Sequence, residues 1–329
     1  MLGGSSLKAG LDLDWDDAAA RAGALVVVLD ALDQVERTLA TRPGLAEDQQ
    51  VAASLEAARQ VRGQDVEQDE SGVVRLRQGV APGRRISIED GEMRHGRKSK
   101  RVRVDGYKRH VLRDLDTGLI RAVGITPANG PEAAVTEALA ADLVHQQTTL
   151  EEFTLGELHI DRAYLSSHWV RERSEELAIY CKAWPVRNGS RFPKTAFHLD
   201  WERGTIRCPN QVVVPFQPGG TVRFPEAACR ACPQQARCTT SARGRSVAIH
   251  PDERLLAELR TRQRSAAGRA KLRERVSIEH CLAHVGHWQG RRARYRGKRK
   301  NLFDLRRTAV VHNLHVLARS ADSSLQVAA

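Results

Sequence analysis

The alternation of strand-like and helix-like segments between residues 107 and 183 most constrains the fold. Tyr107 to Leu112 alternates weakly, and Leu119 to Thr126 is a second apolar segment. Asp114-Leu-Asp-Thr-Gly118 lies between them as a tight-turn signal, so the stretch predicts a β-hairpin. The chain then predicts a helix over 132–146, a strand from Leu155 to Ile160, a helix over 166–177 and a strand from Ala178 to Ala183. The β-β-α-β-α-β order indicates a mixed α/β fold.

Helical segments flank this region on both sides. Residues 12–41 and 46–62 predict an acidic helical hairpin that turns at Pro43-Gly44, with Asp12 or Asp14 as the cap of its first helix. Residues 63–84 are polar and predict a loop, whereas 252–287 and 303–319 predict helices at the far end.

The pattern divides the chain into four parts. Between the α/β region and the late helices, the chain is rich in cysteine and proline and predicts an insertion. The expected parts are a helical hairpin and linker at 1–84, the first part of the core at 85–184, a cysteine-rich insertion at 185–250 and a basic helical part at 251–329.

Charge is distributed unevenly over the 329 residues, whose net charge is +12. Residues 1–80 hold 8 Lys/Arg and 14 Asp/Glu, whereas residues 251–307 hold 17 Lys/Arg and 6 Asp/Glu. The concentrated positive segment favours a polyanion such as nucleic acid as the partner, and a solvated basic face is the alternative.

Neither membrane insertion nor secretion is indicated. No apolar run reaches the ~20 residues that cross a bilayer, and the first residues lack the features of a secretory signal. We therefore expect an intracellular protein with no membrane partner. In a reducing compartment its six cysteines are expected to be free or metal-bound.

Two carboxylates lie at positions in the predicted fold where a catalytic or metal-binding group could be placed. Asp161 follows a predicted strand at its carboxyl end, where α/β proteins place catalytic groups and where a carboxylate can bind Mg²⁺. Its simpler role is to cap the next helix. Glu279 lies on a predicted helix among apolar residues that suggest burial, and Arg275 stands one turn earlier. The alternative for Glu279 is an ordinary ion pair with Arg275.

These motifs, taken with their surroundings, resemble the DDE transposases of bacterial insertion sequences. The resemblance covers residues 95–183 and 252–319. The motifs on which it rests are, in chain order, Gly106-Tyr-Lys-Arg-His110, Asp114-Leu-Asp-Thr-Gly118, Thr126-Pro-Ala-Asn129, Asp161-Arg-Ala-Tyr164, Arg275-x-x-x-Glu279, Tyr295-Arg-Gly297 and Asn313-Leu314. The resemblance implies a ribonuclease H-like mixed sheet with flanking helices, preceded by the helical hairpin and interrupted by the cysteine-rich insertion.

The resemblance also implies a mechanism. The family uses three carboxylates to hold two Mg²⁺ (or Mn²⁺) ions for phosphoryl transfer on DNA. By position, Asp161 matches the second acid and Glu279 the third, with Arg275 and Tyr164 in supporting roles. A tyrosine and a lysine that some relatives carry around this motif are replaced here by Leu272 and Gly286.

The first acid is a larger departure from the family. Its strand is expected upstream of the hairpin, and no convincing candidate precedes residue 86. We expect that this polypeptide lacks the amino-terminal DNA-binding part and the first catalytic strand. Fallback candidates are Asp114 or Asp116, and then Asp90 and Asp105. The chain is thus expected to be a truncated transposase catalytic domain or, alternatively, a catalytically inactive DNA-binding remnant.

Four cysteines in the predicted insertion have metal-binding spacing. Cys208 is followed by the pair Cys229 and Cys232 and then by Cys238, a set that predicts a structural Zn²⁺ site. His198 or His250 can replace one ligand, and four reduced thiols packed in a small insertion are the alternative. The remaining two cysteines, Cys181 and Cys281, are expected in the core.

A dense basic segment follows the helix that carries Glu279. It predicts contacts with DNA phosphates, with a solvated loop as the alternative. The candidate DNA-binding residues are Arg291, Arg292, Arg294, Arg296, Lys298, Arg299 and Lys300. Trp184 and Trp288 are expected to be packed rather than to stack on bases, and the histidines His280, His284 and His287 to contact phosphate or the core.

The expected partners follow from these assignments. They are double-stranded DNA at transposon ends and target, and further copies of the chain, because two DNA ends must be brought together. The expected place is the bacterial cytoplasm, in association with the nucleoid.

Overall fold

The computed structural model describes residues 13–14, 16–70, 72–79, 81, 83–97, 101–149, 155–290 and 292–327. The chain divides into two compact units, Met1–Asp142 with Ala283–Ala329, and Leu143–Leu282. Helices and several small sheets occur together, so the mixed α/β class predicted from the sequence is confirmed. No helix in the described ranges is long and apolar enough to cross a membrane.

The first unit begins with three helices: α1 (Ala18–Ala40), α2 (Pro43–Ala46) and α3 (Gln49–Asp65). The carboxylate of Asp17 accepts a hydrogen bond from the backbone of Ala19 and caps α1. The predicted cap at Asp14 is therefore wrong, and Asp12 lies outside the described residues. Asp48 caps α3 through two backbone N–H groups. The helical hairpin itself agrees with the sequence pattern.

A short hairpin occupies part of the segment that was expected to be a loop. Strand β1 (Val66–Gln68) pairs antiparallel with β2 (Val74–Leu76). The sequence prediction of a loop over 63–84 is wrong for these two strands. Each strand is only three residues long, too short for an alternating pattern to be recognised.

A three-stranded antiparallel sheet follows. It consists of β3 (Arg94–Arg97), β4 (Arg103–Arg113) and β5 (Ile120–Pro127) in that order. The β4–β5 hairpin is the one predicted from the sequence. Beyond β5 come a 3₁₀ turn (Glu132–Val135) and helix α4 (Thr136–Thr149), which continues into the second unit.

The second unit contains one parallel pair of strands, β6 (Glu157–His159) and β7 (Ala178–Tyr180). The connection holds a 3₁₀ turn (Arg162–Tyr164) and a single-turn helix, α5 (His168–Arg171). The helix predicted over 166–177 is therefore wrong over most of its length. Leu165 and Val170 are buried, so the apolar residues behind that prediction anchor a compact loop.

The cysteine-rich segment forms two small antiparallel sheets around its own apolar core. One sheet is β8 (His198–Asp200), β9 (Thr205–Arg207) and β10 (Val213–Pro215); the other is β11 (Thr221–Arg223) with β12 (Ser246–Ala248). Two short helices, α6 (Glu226–Arg230) and α7 (Gln235–Cys238), lie between β11 and β12. The core comprises Phe197, Ile206, Phe216, Val222, Phe224, Val247 and Ile249.

The remaining helices are α8 (Glu253–Arg264), α9 (Ala266–Glu274), α10 (Val276–Gln289) and α11 (Lys298–Val327). Ser265 caps α9, and a Cβ at Gly268 would collide with the carbonyl of Arg262, so a glycine is required where α9 meets the end of α8. The division between the units falls inside α10, after Leu282.

Candidate functional site

Asp161 stands two residues after β6, at the carboxyl end of the parallel pair. One of its oxygens accepts the backbone N–H of Arg162 at 2.6 Å and so caps the 3₁₀ turn. The other oxygen accepts a hydrogen bond from Arg275. The side chain is 60% exposed, so a ligand in solvent can reach it. The capping role expected as the simpler alternative is therefore present, and it occupies only one of the two oxygens.

Glu279 lies on the first turns of α10 and is joined to Asp161 through Arg275. Nη1 of Arg275 lies 3.3 Å from Oδ2 of Asp161, and Nη2 lies 3.4 Å from Oε1 of Glu279. One guanidinium thus bridges two carboxylates from distant parts of the chain. The expected burial of Glu279 is wrong, because its side chain is 64% exposed and its neighbour Val276 is 46% exposed.

The paired carboxylates form a donor set of hard oxygens, which is the kind that Mg²⁺ and Mn²⁺ prefer. The positive guanidinium between them neutralises part of their mutual repulsion. Behind them lies the thiol of Cys181, which is buried as expected; burial raises its pKa to about 12, and the negative charge of Asp161 acts in the same direction. The thiol is therefore protonated at neutral pH. Tyr164, half-buried, ends the turn that Asp161 caps.

A second charged cluster joins 157–159, just before Asp161 in the chain, to 271–274, just before Arg275, and the sequence analysis did not identify it. Lys271 donates to Glu157 at 2.9 Å and lies 3.5 Å from Glu274. Nε2 of His159 lies 3.3 Å from Glu157 and 3.7 Å from Glu274. Glu157, His159 and Glu274 are the group of three in the described part of the chain whose ligand atoms lie within 4.8 Å of one another. The hydrogen bond from Lys271 lowers the pKa of Glu157.

The four cysteines of the insertion converge on one cavity, lined also by Phe192 and Phe224. Burial raises the pKa of Cys238, and the other three cysteines act in the same direction. Backbone N–H groups of Gln234 and Arg245 donate to the sulfurs of Cys232 and Cys229 at 3.4 and 3.5 Å. Within the described residues the sulfurs are not drawn together to the 4.8 Å spacing that the Glu–His–Glu group reaches.

The candidate DNA-binding residues after α10 are exposed from Arg292 to Lys300. Arg291 lies outside the described residues. Arg296 pairs with Glu89, and Lys298 lies 3.7 Å from Glu92. Arg294 donates to the backbone carbonyl of Trp288. Arg299 and Lys300 are exposed on the first turn of α11.

Asp90 fixes the end of this basic segment. It is 5% exposed and accepts hydrogen bonds from the hydroxyl of Tyr107 and the backbone N–H groups of Glu92 and Gly297. Burial raises the pKa of Asp90, but these hydrogen bonds outweigh it and the pKa is lowered. The two resemblance motifs that contain Tyr107 and Gly297 are thus joined by one buried carboxylate.

The other candidates for the first acid also have local partners. Asp114 accepts hydrogen bonds from Thr117 and Arg121 in the hairpin turn, and these partners, despite opposing burial, lower its pKa to about 2. Asp105 lies 2.6 Å from His95. Asp116 is exposed in the same turn as Asp114.

Trp184 and Trp288 are half-buried and pack against histidines. Trp184 lies 5.6 Å from His250, and Trp288 stacks on His315 at 5.1 Å between ring centroids. His284 lies 6.0 Å from Trp288, whereas His280 and His287 are exposed on α10. Cys281 is buried, as expected.

The fold and site define a mixed α/β protein with two solvent-accessible carboxylates bridged by one arginine. Residues 217–318 match the family model described as "Transposase DDE domain", a range that includes Arg275 and Glu279. This match supports a DDE-class transposase, and the resemblance stated from the sequence is confirmed to that extent. Comparisons with curated proteins and with solved structures find no match for the chain.

Proposed function

We propose that the chain is a transposase catalytic domain that cleaves and joins DNA by metal-dependent phosphoryl transfer. The observation that carries the proposal is the bridge from Arg275 to both Asp161 and Glu279, which brings the two candidate acids to one exposed place. A ribonuclease H-like fold is part of the proposal, and the presence of both antiparallel and parallel strand pairs is consistent with it.

The residues suggest a division of labour. Asp161 and Glu279 would hold Mg²⁺ or Mn²⁺, which when bound activates the attacking oxygen and neutralises the phosphate. Arg275, already placed between the acids, is free to turn one guanidinium edge toward a DNA phosphate. Tyr164 would support the turn that presents Asp161. The exposed arginines and lysines of the basic segment would contact the DNA backbone without reading its sequence.

Substitutions that keep the shape of each side chain but remove its negative charge test this site. We expect that Asp161→Asn and Glu279→Gln each abolish Mn²⁺-dependent cleavage of a DNA duplex while leaving the circular dichroism spectrum unchanged. Glu202→Gln, an exposed glutamate in the turn between β8 and β9, is the matched control and should cleave normally. Full activity in either acid variant would remove that residue from the site.

The alternative is a DNA-binding remnant without catalysis. Three candidates for the first acid, Asp90, Asp105 and Asp114, already bind neighbouring side chains. These contacts favour the inactive remnant, because the carboxylates are engaged away from a metal site. A chain that binds duplex DNA tightly and cleaves none at any Mn²⁺ concentration would establish the remnant.

We also propose a structural Zn²⁺ held by Cys208, Cys229, Cys232 and Cys238. Four thiols around one cavity and two N–H donors to sulfur support it, and binding would draw the sulfurs together to the spacing of Zn–S bonds of about 2.3 Å. His198 and His250 remain substitute ligands. The proposed partners are transposon-end and target DNA and further copies of the chain, at the nucleoid in the cytoplasm.

A further inference from the structure

We propose that Lys271 is a positioning residue: with Glu157, His159 and Glu274 it forms an ionic latch between α9 and β6. The latch holds α9, which ends directly before Arg275 and the helix of Glu279, against β6, which ends two residues before Asp161. The inference rests on the proposed function, because it concerns the same two carboxylates. It assigns a role to four side chains that do not belong to the carboxylate pair itself.

The position of the latch in the chain is the first argument. Glu157 and His159 are the first and last residues of β6, and Asp161 follows two residues later. Lys271 and Glu274 lie on the last turns of α9, directly before Arg275. Contacts between these two segments therefore fix both sides of the carboxylate pair within one or two helical turns of the acids.

Burial at the centre of the latch is the second argument. The side chain of His159 is 4% exposed and stacks on Tyr180 of β7 with 4.8 Å between ring centroids. The ammonium of Lys271 lies 5.7 Å from the centre of the same Tyr180 ring, and Arg262 of α8 lies 5.4 Å from it. An isolated surface ion pair contributes little to stability. In this network the Tyr180 ring also contacts both His159 and Lys271, and it restricts the positions that the lysine side chain can take.

Charge balance is the third argument. Glu157 and Glu274 both face Lys271, at 2.9 and 3.5 Å, so the ammonium supplies the cation that the two carboxylates require. The lysine thus already contacts both carboxylates of the Glu–His–Glu group. We infer that the cluster connects protein segments and leaves divalent-cation binding to Asp161 and Glu279.

Charge reversal and charge exchange test the latch in the full chain. Glu157→Lys and Lys271→Glu should each speed amide hydrogen exchange in both 157–164 and 271–280. Each should also weaken Mn²⁺ binding by about tenfold, the usual effect of a residue that orients metal ligands. The double variant should restore slow exchange and most of the Mn²⁺ affinity. Arg254→Glu on α8, in an exposed pair with Glu258, is the matched control and should change neither.

The outcomes separate the latch from the proposed function. Unchanged exchange in both single variants, or no recovery in the double variant, would overturn the latch. A gain of a second Mn²⁺ equivalent in Lys271→Glu would also overturn it, because the cluster would then be a cation site. If exchange behaves as expected and the unmodified chain binds no Mn²⁺, the latch stands and the proposed function fails.

Discussion

The guanidinium of Arg275 lies 3.3 Å from the carboxylate of Asp161, although 114 positions separate them in the chain. The same group reaches Glu279 at 3.4 Å. The positively charged guanidinium therefore lies where the proposed Mg²⁺ or Mn²⁺ would bind. Arg275 and the metal ion would compete for the same two carboxylates, and this competition can be measured.

Replacement of Arg275 should separate metal binding from catalysis. In Arg275→Gln the two acids lose their internal counter-charge, so we expect Mn²⁺ to bind several-fold more tightly by isothermal titration. Cleavage should nevertheless fall on the order of 10²-fold, because a positive group at the phosphate is lost. Arg275→Lys keeps the charge and should bind Mn²⁺ like the unmodified chain. Weaker Mn²⁺ binding in Arg275→Gln would contradict the competition.

The cysteine cavity should contain one zinc per chain. We expect elemental analysis of the purified protein to give one equivalent of Zn²⁺, and Cys232→Ser to lose it together with part of the thermal stability. Cys281→Ala changes a buried cysteine outside the insertion and should keep the metal. A zinc-free protein with unchanged stability in Cys232→Ser would leave four reduced thiols as the correct interpretation.

The basic segment should control the salt dependence of DNA binding. Replacing Arg292, Arg294, Arg299 and Lys300 by alanine should lower the magnitude of the slope of log affinity against log salt by about 3.6, since each phosphate contact contributes about 0.9. Arg203→Ala alters an 84% exposed arginine of the insertion and serves as the control. If the quadruple variant and the unmodified chain have the same slope of log affinity against log salt, the segment is a solvated loop.

Asp90 should matter for stability rather than for catalysis. Asp90→Asn replaces a buried acceptor by a group that cannot accept from Tyr107, Glu92 and Gly297 equally well, so we expect a loss of about 2 kcal/mol in the free energy of unfolding. Urea denaturation measures it. Tyr107→Phe removes one of the partners and should cost less. A stable Asp90→Asn protein that has lost cleavage would instead make Asp90 a candidate catalytic acid.

His110 predicts the pH dependence of folding. Burial lowers the pKa of this histidine from 6.5 to about 4, and its ring contacts the hydroxyl of Thr126 at 2.8 Å. Because the folded pKa is depressed, its contribution is fully present above pH 6.5 and is lost as pH falls toward 4. The loss approaches about 3 kcal/mol. In urea titrations, His110→Gln should be less stable at pH 7.5 and should show a flatter decline below pH 6.5. Equal declines in the two proteins would argue against a buried neutral His110.

Much of the fold was predictable from apolar periodicity and turn signals. The β4–β5 hairpin has alternating strands and an Asp-Thr-Gly turn, and both signals act locally. Strand β3 was missed because Arg94-His-Gly-Arg97 has no apolar residue, and it pairs through its backbone with β4. The helix predicted over 166–177 failed because burial of Leu165 and Val170 reflects tertiary contacts of a loop.

The candidate site was only partly predictable. Motif order pointed to Asp161, Arg275 and Glu279, and the structure brings these three together. The exposure of Glu279 could not be read from its neighbours, because Val276 and Leu282 are themselves exposed. The Glu157–Lys271 contact joins segments far apart in the chain, and neither residue belongs to a recognisable motif.

The cysteine-rich segment carries an apolar core of its own, from Phe197 to Ile249. A module that is stabilised internally can grow, shrink or be exchanged during evolution while the residues at its two borders stay in place. The number of residues between Asp161 and Glu279, the two proposed metal ligands, is then under no geometric constraint. Searches that assume a fixed interval between those acids would overlook chains of this kind, whereas a search for the arginine–glutamate turn would retain them.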